Sequence, residues 1–206
     1  MKEEVEQKLR NIKQGFRLNM NGVVSKSMRD KGSEYKINWG VTLPHLKEMA
    51  LEIGKDYDLA TALWKEDIRE CKILATLLMP QDKMEPEMVD VWVEQTRSQE
   101  MAEIASFYLY QNLPFAFSKA FEWLTLSKEI PQICAYQVLA RLYTRGIIPE
   151  EQHEAEYLSH VCKALHSEYA SVRHAALTSI QKFTTLGEIY EEHAKSSLKS
   201  IKLQLF

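Results

Sequence analysis

The sequence predicts an all-α protein, a solenoid of stacked helix pairs, and three observations lead there. Apolar residues recur at i, i+3, i+4 and i+7 in segment after segment, the signature of one buried helix face. No stretch of comparable length alternates with period two, and no Asn-Gly or Asp-Gly turn sits between β-branched runs, so strands have no support. Proline and glycine stand at the edges of the periodic segments rather than inside them.

In chain order, the first clear copy is Leu46, Met49, Ala50 and Ile53, followed by Cys71, Leu74, Ala75 and Leu78. Met101, Ile104, Ala105 and Tyr108 form the third, Ala135, Val138, Leu139 and Leu142 the fourth, and Leu158, Val161, Cys162 and Leu165 the fifth. Pro44, Pro86, Pro131 and Pro149 fall where new helices begin, at first-turn positions where a missing N–H costs nothing. Gly54 and Gly146 suit helix exits. The spacing of the segments suits helix-pair repeats, with roughly eleven or twelve helices joined by short connections. A compact non-repeating bundle is the alternative.

The chain has 206 residues, which predicts one domain over 1–206 that buries roughly 70% of the surface its unfolded form exposes. Hydrophobic residues make up 45% and charged residues 27%, the balance of an ordinary globular protein rather than a disordered one. The three cysteines, Cys71, Cys134 and Cys162, lie among apolar residues with no paired spacing and read as buried core thiols. No apolar run is long enough to span a membrane, and acids follow Met1 where a signal peptide would be apolar, so a reducing cytoplasm is the expected compartment.

The net charge of −3 conceals an asymmetry. Residues 1–36 hold nine basic against five acidic side chains, and residues 171–206 hold five against three. The middle, residues 37–170, is left with twelve basic and twenty-one acidic, a net −9. Any nucleic-acid surface must therefore be local.

The run Trp39-Gly40-Val41-Thr42-Leu43-Pro44-His45-Leu46-Lys47, then Leu59-Ala60-Thr61-Ala62-Leu63-Trp64, then Arg69-Glu70-Cys71-Lys72-Ile73-Leu74-Ala75 resembles the AlkD family of DNA alkylation repair proteins. That family has a Gly-Val-x-x-Pro-x-Leu-Arg opening, a Leu-Ala-x-x-Leu-Trp helix and a Glu-x-x-x-Leu-Ala helix in this order. The resemblance is good over residues 14–80 and continues as helix pattern beyond. It implies a HEAT-like, armadillo-type superhelix whose concave basic groove holds duplex DNA. Active members cleave the glycosidic bond of cationic alkylated purines, using a carboxylate to stabilise the developing positive sugar and indole rings against the deoxyribose.

Most of those side chains are replaced here. The family's Trp-Asp-x-x-Asp run corresponds to Gln99-Glu100-Met101-Ala102-Glu103, with Gln99 for the indole and Glu103 for the catalytic carboxylate. A later Lys-Ala-x-x-Trp-x-x-Arg setting corresponds to His174-Ala175-Ala176-Leu177-Thr178-Ser179-Ile180-Gln181, with Thr178 for the second indole. The groove arginine has no counterpart at residues 131–136, although Arg141 and Arg145 lie one and two turns downstream. The resemblance thus implies a DNA-binding protein, for double-stranded DNA, damaged or branched, with weak or no base excision. Expected DNA contacts are Arg17, Lys26, Arg29, Lys31, Arg141, Arg145, Arg173 and Lys182, and the degenerate catalytic position is Glu103.

Two rivals stand beside that reading: an active alkylpurine glycosylase using Glu103, and a scaffold whose concave face takes a protein partner. No cofactor or metal is expected, since His153, His160 and His166 near Cys162 lack HExxH or CxxC spacing and no nucleotide-binding glycine motif occurs. The aromatics Phe107, Tyr108, Tyr110, Phe115, Phe117, Phe121 and Trp123 read as core filling between stacked helices. A minority facing a groove would stack on bases, but a single basic residue, Lys119, is interleaved with them, which makes that signal weak.

Overall fold

A computed structural model describes residues 2–30 and 34–200, so Lys31 lies outside the described residues. Among them are twelve α-helices and three short 3₁₀ turns, and the only strand-like pairing is an isolated bridge between Ile37 and Ile68. The chain divides into two compact units, one ending at Glu85 and the other beginning at Pro86.

The first unit contains α1 (Lys2–Leu18), α2 (Gly22–Asp30), α3 (Leu43–Ile53), α4 (Tyr57–Trp64) and α5 (Arg69–Leu78). Pro44 sits in the first turn of α3, and Gly54 ends that helix at φ 79°, a conformation that costs glycine little. Asp56 caps α4 by accepting from the Leu59 N–H at 3.0 Å, and its carboxylate also pairs with Lys8. Helix α5 packs against α3 and α4, burying Phe16, Leu46, Leu59, Leu63, Ile73, Leu74 and Leu78 in one core.

The second unit contains α6 (Pro86–Gln95), α7 (Gln99–Tyr108), α8 (Ala116–Leu124), α9 (Glu129–Thr144), α10 (Glu151–Ala164), α11 (Ala170–Phe183) and α12 (Glu188–Ser200). Helix α9 is its hub: apolar on nearly all sides, it is covered by α7, α8 and α11. Tyr143, Tyr157 and Phe183 meet with ring centroids 5.2 to 5.4 Å apart, and the Tyr157 hydroxyl donates to Ser179 Oγ at 2.9 Å. Pro86 opens α6 and Gly146 follows α9 at φ 75°, as the sequence pattern requires.

The cysteines need one correction. Cys71 and Cys134 are buried, and burial pushes both thiols up to about 12, so they are inert hydrophobes at neutral pH. Cys162 is only half-buried, lies beside α12, and donates to the Ser197 carbonyl at 3.6 Å. It sits on the margin of the apolar face of α10, where exposure depends on the neighbouring helix. No helix among the described residues is long and apolar enough to cross a membrane.

Candidate nucleic-acid interface

The three ordered motifs of the first unit are architectural, and the structure shows why. Glu70 has no exposed surface and opens α5 with its carboxylate turned back on residues 39–41. Its oxygens accept from the N–H groups of Trp39 at 3.2 Å, Gly40 at 3.0 Å and Val41 at 3.3 Å. Arg69, also buried, donates to Glu70 at 3.2 Å and to the Val41 carbonyl at 3.1 Å. Gly40 adopts φ 72°, and a Cβ there would stand 2.3 Å from the Asn21 carbonyl oxygen, so only glycine fits. Leu59, Ala60, Leu63 and Trp64 form the buried face of α4, and the Lys72 ammonium lies 4.4 Å over the Trp64 ring.

Two of the expected cations of this unit, Lys26 and Arg29, line a cavity of about 350 Å³ together with Lys36, Asp30 and the half-buried Trp39 ring. Arg29 is partly committed there, donating to Ser25 Oγ at 3.1 Å and to the Asn38 carbonyl at 3.4 Å. Arg17 is exposed in the last turn of α1.

In the second unit the degenerate catalytic position falls on α7. Ser98 caps this helix, and Gln99, its first residue, donates from its side-chain amide to Glu103 at 2.8 Å. Gln99, Glu103 and Phe107 are four residues apart and so follow one line along the helix. That line is opposite the buried set Met101, Ala102, Ile104 and Ala105. Phe107 departs from the core role expected of the aromatic cluster, since it is 40% exposed while Tyr110, Phe121 and Trp123 are buried.

Helix α9 supplies the basic side chains. The Arg141 guanidinium lies over the Phe107 ring, 4.5 Å from its centroid. Arg145, one turn on, donates to the Gln111 carbonyl at 3.0 Å, and the Gln111 amide in turn donates to the Phe107 carbonyl. The packing of α9 on α7 therefore brings Arg141 onto Phe107, one turn beyond Glu103, and Arg145 onto Gln111, a juxtaposition that spacing along the chain could not reveal.

Helix α11 carries the remaining candidates. His174, Thr178 and Lys182 follow one line at four-residue spacing, with Thr178 half-buried and Lys182 exposed. Arg173 and Lys182 are nine residues apart, roughly half a turn around the helix at 3.6 residues per turn, so they point to different sides. Arg173 is exposed and donates to the carbonyls of Ser167 and Glu168 at 2.6 and 3.0 Å.

The indoles are elsewhere. In the second unit Trp92 and Trp123 are both buried at 3% exposure, and the Trp123 N–H donates to Asp90 at 2.9 Å. Neither stands on the α7 line or on α11. Among the described residues, no three His, Cys, Asp or Glu side chains group to hold a metal ion.

Comparisons with known proteins agree with this architecture. No curated protein sequence matches this chain closely enough to count as a relative. Among solved structures, a protein from "a new family of proteins related to the HEAT-like repeat DNA glycosylases with affinity for branched DNA structures" matches with a TM-score of 0.82. Identity is 14%, with 93% of this chain and 82% of that chain covered, a likeness that establishes the HEAT-like repeat fold. The family described as "DNA alkylation repair enzyme" matches residues 12–130, more than half of the chain. The chain therefore belongs to the DNA alkylation repair enzyme family.

Proposed function

We propose that this protein binds double-stranded DNA, including branched forms, and excises alkylated bases weakly or not at all. The observation that carries this reading is the composition of the α7–α9 face. It keeps a carboxylate, Glu103, and gains two guanidinium groups, Arg141 and Arg145, but both indoles of its unit are locked in the core. Guanidinium groups serve phosphate binding, whereas glycosidic cleavage also needs a polarisable wall beside the sugar. Lys182 and Arg173 on α11 add positive charge to the second unit, and Arg17, Lys26 and Arg29 do the same in the first. The affinity for branched DNA attributed to the structural relative supports the same reading.

Excision by Glu103 is the rival, favoured by one observation: the carboxylate persists one turn from the Phe107–Arg141 pair. Against it, glutamate is one methylene longer than aspartate, and a misplacement of about 1 Å can cost roughly a hundredfold in rate.

Fluorescence anisotropy with a labelled duplex and a labelled three-way junction tests the binding. Affinity should fall steeply with salt, and if about four phosphates are neutralised the log–log slope is near −3.6. The junction should bind more tightly than a duplex of equal length. No binding to either DNA at about 50 mM salt would overturn the proposal.

A further inference from the structure

We infer that the Phe107 ring and the Arg141 guanidinium stacked on it form a platform for an unpaired nucleobase, an inference that rests on the DNA-binding reading above. Phe107 is one of two exposed aromatic side chains among the described residues, the other being Tyr169. A single exposed apolar side chain needs no explanation by itself. Here, however, the ring is held in place. Arg141 covers it at 4.5 Å, Tyr108 meets it edge-on with centroids 4.7 Å apart, and the Gln111 amide holds the Phe107 carbonyl. Two-fifths of the residue nevertheless remains open to solvent.

Such a pair has the properties that stacking on bases requires. Aromatic rings and arginine planes both accept a base face, and a ring already fixed loses little conformational freedom when it does so. The polar groups on either side give the platform a direction. Arg145 lies one turn along α9 and suits a phosphate. Glu103 lies one turn back along α7 and Gln99 two turns back, and there an anion repels phosphate but accepts from the exocyclic amine of a base. A nucleotide therefore lies with its phosphate toward Arg145 and its base toward Glu103. A fully paired duplex hides the faces of its bases in the stack, so this ligand is found at bulges, branch points and single-stranded ends.

The test uses the full chain and two DNA probes carrying 2-aminopurine, one unpaired in a single-nucleotide bulge and the other paired in the matching duplex. Stacking on the platform should quench the bulge probe as the protein is added, with a much smaller change for the duplex probe. Phe107→Ala should abolish the quench and lower bulge affinity by about 5- to 150-fold relative to its effect on the duplex. Phe107→Trp, which keeps an aromatic face, should preserve both. Circular dichroism of each variant should match the natural chain, because the side chain is not a core group. If Phe107→Ala binds DNA yet retains the quench and the bulge preference, the platform is wrong while DNA binding stands. If the natural chain binds neither probe, DNA binding itself fails and the platform falls with it.

Discussion

Replacing Glu70 with alanine should destabilise the protein by about 3–5 kcal/mol, the cost of breaking a buried ion pair from one side. The carboxylate is wholly buried and receives three backbone N–H groups and the Arg69 guanidinium. Removing it takes a carboxylate from the buried Arg69 guanidinium and this acceptor from the Trp39 and Val41 N–H groups, while the Gly40 N–H keeps Asn38 Oδ1 at 2.8 Å, and the segment carrying Gly40 loses its carboxylate anchor on α5. For a chain of this size the loss corresponds to a fall in Tm of roughly 6–20 °C. Glu70→Gln keeps one acceptor oxygen and should cost less. A thermal unfolding curve for Glu70→Ala within about 1 kcal/mol of the natural chain would show that residues 39–41 are held by something other than this carboxylate.

The second large effect concerns binding rather than folding. Reversing Arg141 and Arg145 together to glutamate should weaken DNA binding by about sixtyfold at 0.1 M salt. Each phosphate contact contributes about 0.9 to the salt slope, so losing two removes about 1.8 decades of affinity at that concentration. The salt slope should flatten by the same 1.8. Both side chains lie on the surface side of α9, so the fold should survive, with the loss of the Arg141–Phe107 contact costing at most about 1 kcal/mol. Anisotropy titrations at several salt concentrations check both numbers. An unchanged slope would place the DNA away from the α7–α9 face.

Much of this architecture is legible in the sequence because it is written locally. Pro44 and Pro86 mark helix starts through their own lost N–H, Gly54 and Gly146 mark exits through their positive φ, and the five periodic segments fall in α3, α5, α7, α9 and α10, the last running one residue on to the Leu165 cap. What depends on packing between helices is less legible. The partial exposure of Cys162 is set by where α12 lies, and the meeting of Arg141 with Phe107 by how α9 crosses α7. Phe107 was nonetheless within reach of the sequence. With Met101, Ala102, Ile104 and Ala105 on the buried face of α7, residues 99, 103 and 107 fall on the opposite side, which sets this phenylalanine apart from the core. The role of Glu70 follows the same logic. A glutamate at the start of a helix is normally solvated, and only the folding of residues 39–41 over it makes it a buried acceptor.

The central claim, a DNA-binding member of the alkylation repair family with little or no excision, is tested most directly by single-turnover release of N7-methylguanine from duplex DNA under conditions where binding is saturated. A combined Gln99→Trp, Glu103→Asp and Thr178→Trp variant, assayed alongside, should gain release if those positions are where the family's catalytic groups belong. For the natural chain the account predicts release indistinguishable from spontaneous loss, and no change on Glu103→Ala. Rapid release by the natural chain that disappears in Glu103→Ala would contradict it and make Glu103 a catalytic residue.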